Sequence, residues 1–368
     1  MNRKISVLFI LPSLQGGGAE RVILTILRHL DRNRFSIALA VIDGRDPVLA
    51  TDLPADIDRI DLHSSRARYS AIALVRLIWK RRPDVVFCVL GHVNLLLALI
   101  KPGLPRATKL IARETIVMSA YLSGNSFAWL WKAAYRSFLP RCDVIVCQSR
   151  DMQHSLIQDL GIPARNMVVV RNPVDIDRIR ALSATTPVSA HAGAPAGAIR
   201  LIAAGRLVWQ KGFDLLIEAL ALLDDARFHV SILGQGPLLG DLKRLAARCN
   251  LSAHVHFLGF KSNPYALFAS ADAFVLSSRF EGMPNVVLEA LACGTGVIAT
   301  PAPGGVDELL ANRPRCVLAQ TISAESLAEA INSYDFAAPR SPFDLGEFAV
   351  GTIVARYAEV FTTAVIQS

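Results

Sequence analysis

Cysteine, aromatic residues and charge are all scarce in this 368-residue chain. The 6 cysteines (Cys88, Cys142, Cys147, Cys249, Cys293 and Cys316) include no Cys-x-x-Cys pair. That excludes a small disulfide scaffold, offers no zinc-ligand spacing, and reads as buried, reduced thiols in a cytoplasmic protein. Long apolar runs are missing too. The longest, 85–100, is broken by Gly91, His92 and Asn94 and falls short of the ~18 residues a membrane span needs, so no transmembrane segment is expected. The apolar stretch 5–11 lacks a small-residue cleavage site and reads as a first strand, not a signal peptide. Charged residues make up 19 % and apolar types 52 %, which excludes general disorder. Glycine has no period and no heptads persist, which excludes collagen and coiled coil.

What is present is an uneven charge and a regular alternation. Residues 1–182 carry 26 Lys+Arg against 15 Asp+Glu, whereas residues 183–368 carry 13 against 16. A basic half beside a mildly acidic one points to an anionic partner. No nucleic-acid motif accompanies the charge, so a membrane surface or a phosphate-bearing substrate is the expected partner and nucleic acid is not. Short β-branched runs at 6–11, 36–42, 84–89, 110–112, 143–147 and 168–170 alternate with helical patterns. The second half repeats this at 201–204, 229–233, 255–258, 273–276, 297–299 and 316–318. Alternation of this kind specifies an α/β chain of parallel sheets covered by helices. Residues 183–198 are small and uncharged, a linker composition. The expected organisation is therefore a first domain over 1–182, the linker, a second domain over 199–345, and a C-terminal helix within 346–368 packing back toward the first domain. Two doubly wound, Rossmann-like domains would face each other across a cleft, with strand C-terminal ends as ligand edges.

Three loops at such edges carry candidate chemistry. Gly16-Gly17-Gly18 follows the first strand. It reads either as a tight strand-to-helix turn or as a loop whose backbone approaches a ligand. A dinucleotide fingerprint needs a third glycine where Arg21 stands, although Asp43 after the second strand keeps a nicotinamide reading open. Gly205-Arg206 with Lys211-Gly212 places two cations where a diphosphate would gain charge. Finally, the segment 277–290 carries Glu281 on a loop, Pro284 at a helix start and Glu289 about one turn into the helix. The amides of Met283, Asn285 and Val286 are left free to face a ligand.

At this point the chain resembles the retaining glycosyltransferases of family 4, with the two-domain GT-B fold. Glu281, seven residues and Glu289 match the paired-glutamate signature, and Gly17-Gly18-Ala19-Glu20 matches the N-terminal glycine loop. Gly205-Arg206 and Lys211-Gly212 match the donor-phosphate cations. Gly234-Gln235-Gly236-Pro237 resembles the glycine turn after the donor domain's second strand, and Leu258-Gly259-Phe260 the segment beside the base. Gly304-Gly305 with Glu308 and Asn172-Pro173-Val174-Asp175 fit further family segments. The resemblance implies transfer of a sugar from a nucleotide-sugar with retention at the anomeric carbon. Arg206 and Lys211 would hold the diphosphate, Glu281 the sugar hydroxyls and Glu289 the ribose. Gly17 and Gly18 would approach the donor phosphate and the acceptor. It implies no resident cofactor and no metal. Asp56-Ile57-Asp58 and Asp175-Ile176-Asp177 have the letters of a metal-binding triplet, but neither lies in a donor-domain loop.

His92, after the third strand-like run, either approaches the transferred sugar or is a satisfied structural histidine. Arg113 and Glu114 resemble an acceptor-side pair. In this family the first domain carries the acceptor, and here that half is the basic one. Its segment 126–141 interleaves Trp129, Trp131, Tyr135 and Phe138 with Lys132, Arg136 and Arg141. It reads as an interfacial helix or as one packed on the core. The expectation is a glycan acceptor, lipid-linked, met by a cytoplasmic enzyme at an anionic membrane face in bacterial polysaccharide assembly. A nucleotide-sugar epimerase, a nicotinamide oxidoreductase and a non-catalytic binding module are the alternatives.

Overall fold

A computed structural model describes residues 3–45, 48–64, 67–122, 126–184, 195 and 197–366. The chain packs as two units, Met1–Pro173 with Glu347–Ser368, and Val174–Gly346. The first holds β1 (Ile5–Leu11), β2 (Phe35–Val41), β3 (Asp58–Asp61), β4 (Val85–Val89), β5 (Lys109–Arg113), β6 (Val144–Cys147) and β7 (Met167–Val169). The second holds β8 (Ile199–Ala204), β9 (Phe228–Leu233), β10 (Val255–Gly259), β11 (Ala273–Leu276), β12 (Val297–Ala299) and β13 (Cys316–Leu318). Every pairing is parallel. The sheet orders are 3-2-1-4-5-6-7 and 10-9-8-11-12-13. Both sheets are thus doubly wound, with a reversal of strand order between β1 and β4 and again between β8 and β11. Ligands bind outside the strand C-termini at such reversals.

Central strands are uninterrupted apolar runs because both faces are covered. β4, Val-Val-Phe-Cys-Val, is buried along its whole length. The edge strand β3 was not expected. It reads Asp-Arg-Ile-Asp, without an apolar run, and its Arg59 and Asp61 pair with each other at 2.9 Å. Helix Val350–Ile366 closes the first unit. Its Phe361 meets Phe9 and Phe87 edge-on at 5.9 and 5.4 Å, and Tyr357 meets Phe87 at 5.7 Å. Each such burial is worth about 1.5–3 kcal/mol.

The first unit ends earlier than the expected 182. Helix Ile176–Ala184 packs in the second unit, where Arg180 donates to the Ala292 carbonyl and Asn263 donates to that of Leu182 at 3.2 Å. The expected linker, 183–198, falls mostly outside the described residues. The cysteines are all free. Cys88, Cys142 and Cys147 are buried, and burial pushes the thiols of Cys142 and Cys147 up to about 12. No helix among the described residues is long and apolar enough to cross a membrane.

Candidate active site

In the second unit, the loops after β8 and β11 flank the strand reversal, and side chains stitch them together. Lys211 Nζ donates to Glu281 Oε1 at 2.6 Å, and Ser278 Oγ donates to the same oxygen at 2.6 Å. The Lys211 and Glu281 side chains are 19 % and 6 % exposed, so this pair is shielded yet still reachable. Arg279 makes a two-pronged ion pair with Asp214 at 2.6 and 2.9 Å and lies over the Trp209 ring. Gln210 donates to the Phe280 carbonyl at 2.9 Å. The Arg206 side chain, on the same loop as Lys211, is exposed and has no hydrogen bond or ion pair among the described residues, while its carbonyl accepts from the Val208 amide at 2.8 Å. One anchored cation and one unengaged cation therefore leave a single strand end.

Glycines allow the loops to meet. Gly212 has φ +58, and a Cβ there would lie 2.0 Å from the Ser277 carbonyl oxygen. Gly234, at φ +135, would place a Cβ 1.9 Å from the Gly205 oxygen, and its amide donates to the Gly259 carbonyl at 2.9 Å. Gly205, Gly234 and Gly259 thus bring the ends of β8, β9 and β10 together, and Phe260 stands exposed beside them. Gly304 backs the site, since a Cβ there would meet the Glu281 carbonyl at 2.3 Å. Helix Asn285–Ala292 begins one residue later than expected, with Pro284 as its cap. The amides of Asn285 and Val286 stand outside its internal ladder. Met283 is buried, so its side chain packs inward, and Glu289 is half-buried in the helix's second turn. Ser278, Asp214 and Arg279 are site residues the sequence reading did not single out.

In the first unit, helix Gly18–His29 starts at the glycine loop. Glu20, 6 % exposed, accepts from the amides of Gly16 and Gly17, both at 2.8 Å, and from Ser13 Oγ. The Gly17 amide is therefore committed to a protein carboxylate, while Gly17 and Gly18 themselves stay exposed. Glu20 at the helix's third position is the capping residue that shapes the loop. His92 sits at the start of helix Gly91–Ile100 after β4, and partial desolvation lowers its pKa.

Arg113 and Glu114 are fully buried, which corrects their assignment to acceptor contact. Arg113 donates to Tyr357 Oη at 2.9 Å and to Asn172 Oδ1 at 2.5 Å, tying the C-terminal helix to the end of β5. Glu114 accepts from Asn94 Nδ2 at 2.7 Å and from Tyr135 Oη at 3.4 Å. Burial raises its pKa to about 7, against the two hydrogen bonds that lower it. The folded pKa lies above the unfolded one. Its contribution to stability is therefore full below pH 4.5 and is lost as pH rises to about 7. Glu114→Gln is expected to remove that loss, about 3 kcal/mol at pH 8. Unfolding curves of both proteins at pH 5 and pH 8 check this, and parallel pH profiles would contradict it. Tyr135 is buried with Glu114, and Phe138 is half-buried, so neither belongs to an exposed face. Phe127, Trp129 and Leu130 are 65, 68 and 54 % exposed, with Trp131 and Lys132 exposed beside them. Of the Asp-Ile-Asp triplets, Asp56 and Asp58 are paired with Arg32 and Arg81, and Asp175 accepts from the Arg178 amide.

Two doubly wound sheets, the second with cations, two glutamates and glycine turns at its strand reversal, define a two-domain Rossmann-like α/β protein. Residues 189–334 match the family described as Glycosyl transferases group 1, and residues 16–178 that described as Glycosyltransferase Family 4. The chain is 31 % identical over 289 residues to the lipopolysaccharide core biosynthesis glycosyltransferase LpsD of Rhizobium meliloti, covering 78 % of this chain and 76 % of that one. It is 27 % identical over 334 residues, 87 % of each chain, to a Campylobacter jejuni enzyme. That enzyme is the N-acetylgalactosamine-N,N'-diacetylbacillosaminyl-diphospho-undecaprenol 4-alpha-N-acetylgalactosaminyltransferase. The Anabaena Alr3699/HepE structure in complex with UDP shares the fold, at TM-score 0.79 and 21 % identity over 98 % of this chain and 100 % of that one. The chain belongs to the group 1, family 4-like glycosyltransferases of GT-B fold, and it is an enzyme.

Proposed function

We propose that the chain transfers a sugar from a UDP-sugar to a lipid-linked glycan, with retention and without a metal, in bacterial surface polysaccharide assembly. The observation that carries this is the Lys211–Glu281–Ser278 cluster beside the unengaged Arg206 at the β8/β11 reversal. When the anomeric carbon–oxygen bond breaks, its electron pair leaves with the nucleoside diphosphate. Arg206 and Lys211 meet that growing charge in place of a divalent cation. Glu281 Oε1 is occupied by Lys211 and Ser278, and Oε2 has no partner among the described residues, so it can accept from a sugar hydroxyl. Glu289 holds the ribose, and Phe260 lies against the base. The donor nucleotide and the lipid-linked acceptor are taken from the names of the relatives. An epimerase or oxidoreductase reading has no comparable observation behind it.

The two glutamates are not equivalent in this reading. Glu281 touches the sugar whose charge changes during reaction, whereas Glu289 binds a part of the donor that does not change. Glu281→Gln is expected to act chiefly on kcat and Glu289→Gln chiefly on donor KM. Steady-state kinetics with a UDP-sugar check this, and the reverse pattern would mean the roles are exchanged.

Membrane attachment runs through the first unit. The exposed ridge of Phe127, Trp129, Leu130 and Trp131, with Lys132 and Arg136 on the same helix or beside it, suits an anionic lipid surface. Each basic residue near such a surface contributes about 1 kcal/mol, screened by salt. Co-sedimentation with phosphatidylglycerol vesicles at low salt is expected, with a clear loss in Trp129→Ala/Leu130→Ala. Equal recovery with and without vesicles would contradict it.

A further inference from the structure

Lys211 closes a single turn of 3₁₀ helix, Trp209–Lys211, between the end of β8 and helix Phe213–Leu223. Within that turn the Lys211 amide donates to the Val208 carbonyl at 3.0 Å and the Gly212 amide to that of Trp209 at 3.2 Å. Turns of this kind have poor hydrogen-bond geometry and persist only in short pieces. An ammonium on a flexible four-carbon stem is aimed no better than the backbone beneath it.

The loop after β11 supplies the rigidity. The carbonyls of Trp209, Gln210 and Lys211, three in a row, each accept from a donor on that loop. Arg279 Nη1 donates to Trp209 at 2.7 Å, the Arg279 amide to Gln210 at 2.8 Å, and Ser277 Oγ to Lys211 at 2.9 Å. Arg279 is itself fixed. Its guanidinium takes both oxygens of Asp214, in the first turn of helix Phe213–Leu223, and lies 4.7 Å from the centre of the Trp209 ring. Burial pushes the Asp214 carboxyl up, but the Arg279 contacts outweigh it and leave its pKa below the usual value. The Arg279 side chain is 16 % exposed and its charge is matched by Asp214, so it does not serve as a third cation for the diphosphate.

We propose that Arg279, held by Asp214, is a positioning residue that clamps the Trp209–Lys211 turn and so aims Lys211 at Glu281 and at the place where the leaving diphosphate gains charge. The proposal rests on the sugar-transfer reading above. Lysine is no substitute at this position. Only a planar fork meets Asp214 with two bonds and the Trp209 carbonyl with a third while lying over the indole.

A double-mutant cycle on turnover of the full chain, with a nucleotide-sugar donor, tests it. Arg279→Lys keeps the charge and loses the fork. It is expected to lower kcat by about tenfold or more and to act on kcat more than on donor KM. In the Lys211→Ala background the same change should lower kcat by less than about twofold, because the clamp then has no ammonium to aim. A merely structural role would cost the same factor in both backgrounds. Ser277→Ala, which removes a single carbonyl contact, is the milder second variant and should show the same dependence on Lys211. Each rate is read on protein with wild-type circular dichroism. Hydrogen exchange through residues 206–212 should be at least about fivefold faster in Arg279→Lys than in the wild type. Wild-type kcat in both variants, equal losses in both backgrounds, or unchanged exchange would overturn the proposal. Failure of the sugar-transfer reading is separately visible as the absence of nucleotide release from any nucleotide-sugar, with exchange through 206–212 still faster in Arg279→Lys.

Discussion

Lys211→Ala and Arg206→Ala should each lower turnover by about 10²–10³, but only Lys211→Ala should also weaken the fold. The rate loss follows from removing a positive group from where the leaving diphosphate gains charge. The stability difference follows from burial. Glu281 is almost fully buried and ion-paired at 2.6 Å, so Lys211→Ala leaves a buried carboxylate with Ser278 as its remaining partner. Breaking a buried pair from one side typically costs 3–5 kcal/mol, and the residual exposure of Lys211 brings the expectation down to about 2–3 kcal/mol. Arg206 is exposed and unengaged, so its removal should leave unfolding curves within about 0.5 kcal/mol of wild type. Steady-state rates with a nucleotide-sugar, paired with urea denaturation, separate the two effects. Equal stabilities would show that the ion pair is not held in solution.

Gly234→Ala is expected to be as damaging through the backbone alone. Its φ of +135 is one that side-chain-bearing residues rarely adopt, and the new Cβ would sit 1.9 Å from the Gly205 carbonyl oxygen. Neither atom belongs to a flexible side chain, so relief requires the ends of β8 and β9 to separate. Strain of about 1–3 kcal/mol and overpacking of about 1–3 kcal/mol together predict a loss of about 2–5 kcal/mol. Displacing Gly205 also moves Arg206, its neighbour in the chain, so turnover should fall by at least about tenfold. Gly103→Ala is the control. A Cβ there meets nothing within 4 Å, and stability should change by less than about 0.5 kcal/mol. A Gly234→Ala protein with wild-type stability would mean that the two strand ends do not approach as described.

Most of the architecture was legible because buried parallel strands announce themselves as β-branched runs. β4 and β9 are cases in point, buried at every position. β3 escaped because an edge strand needs no apolar run, and Asp-Arg-Ile-Asp resembles a charged loop. The end of the first unit was misplaced because nothing local in helix Ile176–Ala184 says which sheet it packs on. That is decided by partners such as Asn263 and Ala292, far along the chain. The placement of Arg206, Lys211 and Glu281 on loops after strand ends was legible from the glycines and charges around them. The pairing of Lys211 with Glu281 was not, since it depends on two loops that only the β8/β11 reversal brings together. Arg113 and Glu114 misled for a different reason. An Arg-Glu pair after a strand normally faces solvent, and only the distant Asn172 and Tyr357 and the neighbouring Asn94 and Tyr135 make burial tolerable. Glu20 could have been found as the acid three residues after Gly17, the signature of a capped helix start.

The account stands or falls on whether these two cations replace a metal in a sugar transfer. The direct measurement incubates the wild-type chain with a panel of nucleotide-sugars in excess EDTA and follows nucleotide release. Release from at least one donor is predicted. It should be undiminished by EDTA and should fall by about 10²–10³ in Arg206→Ala and Lys211→Ala. No release from any donor, or release that EDTA abolishes and magnesium restores, would contradict it.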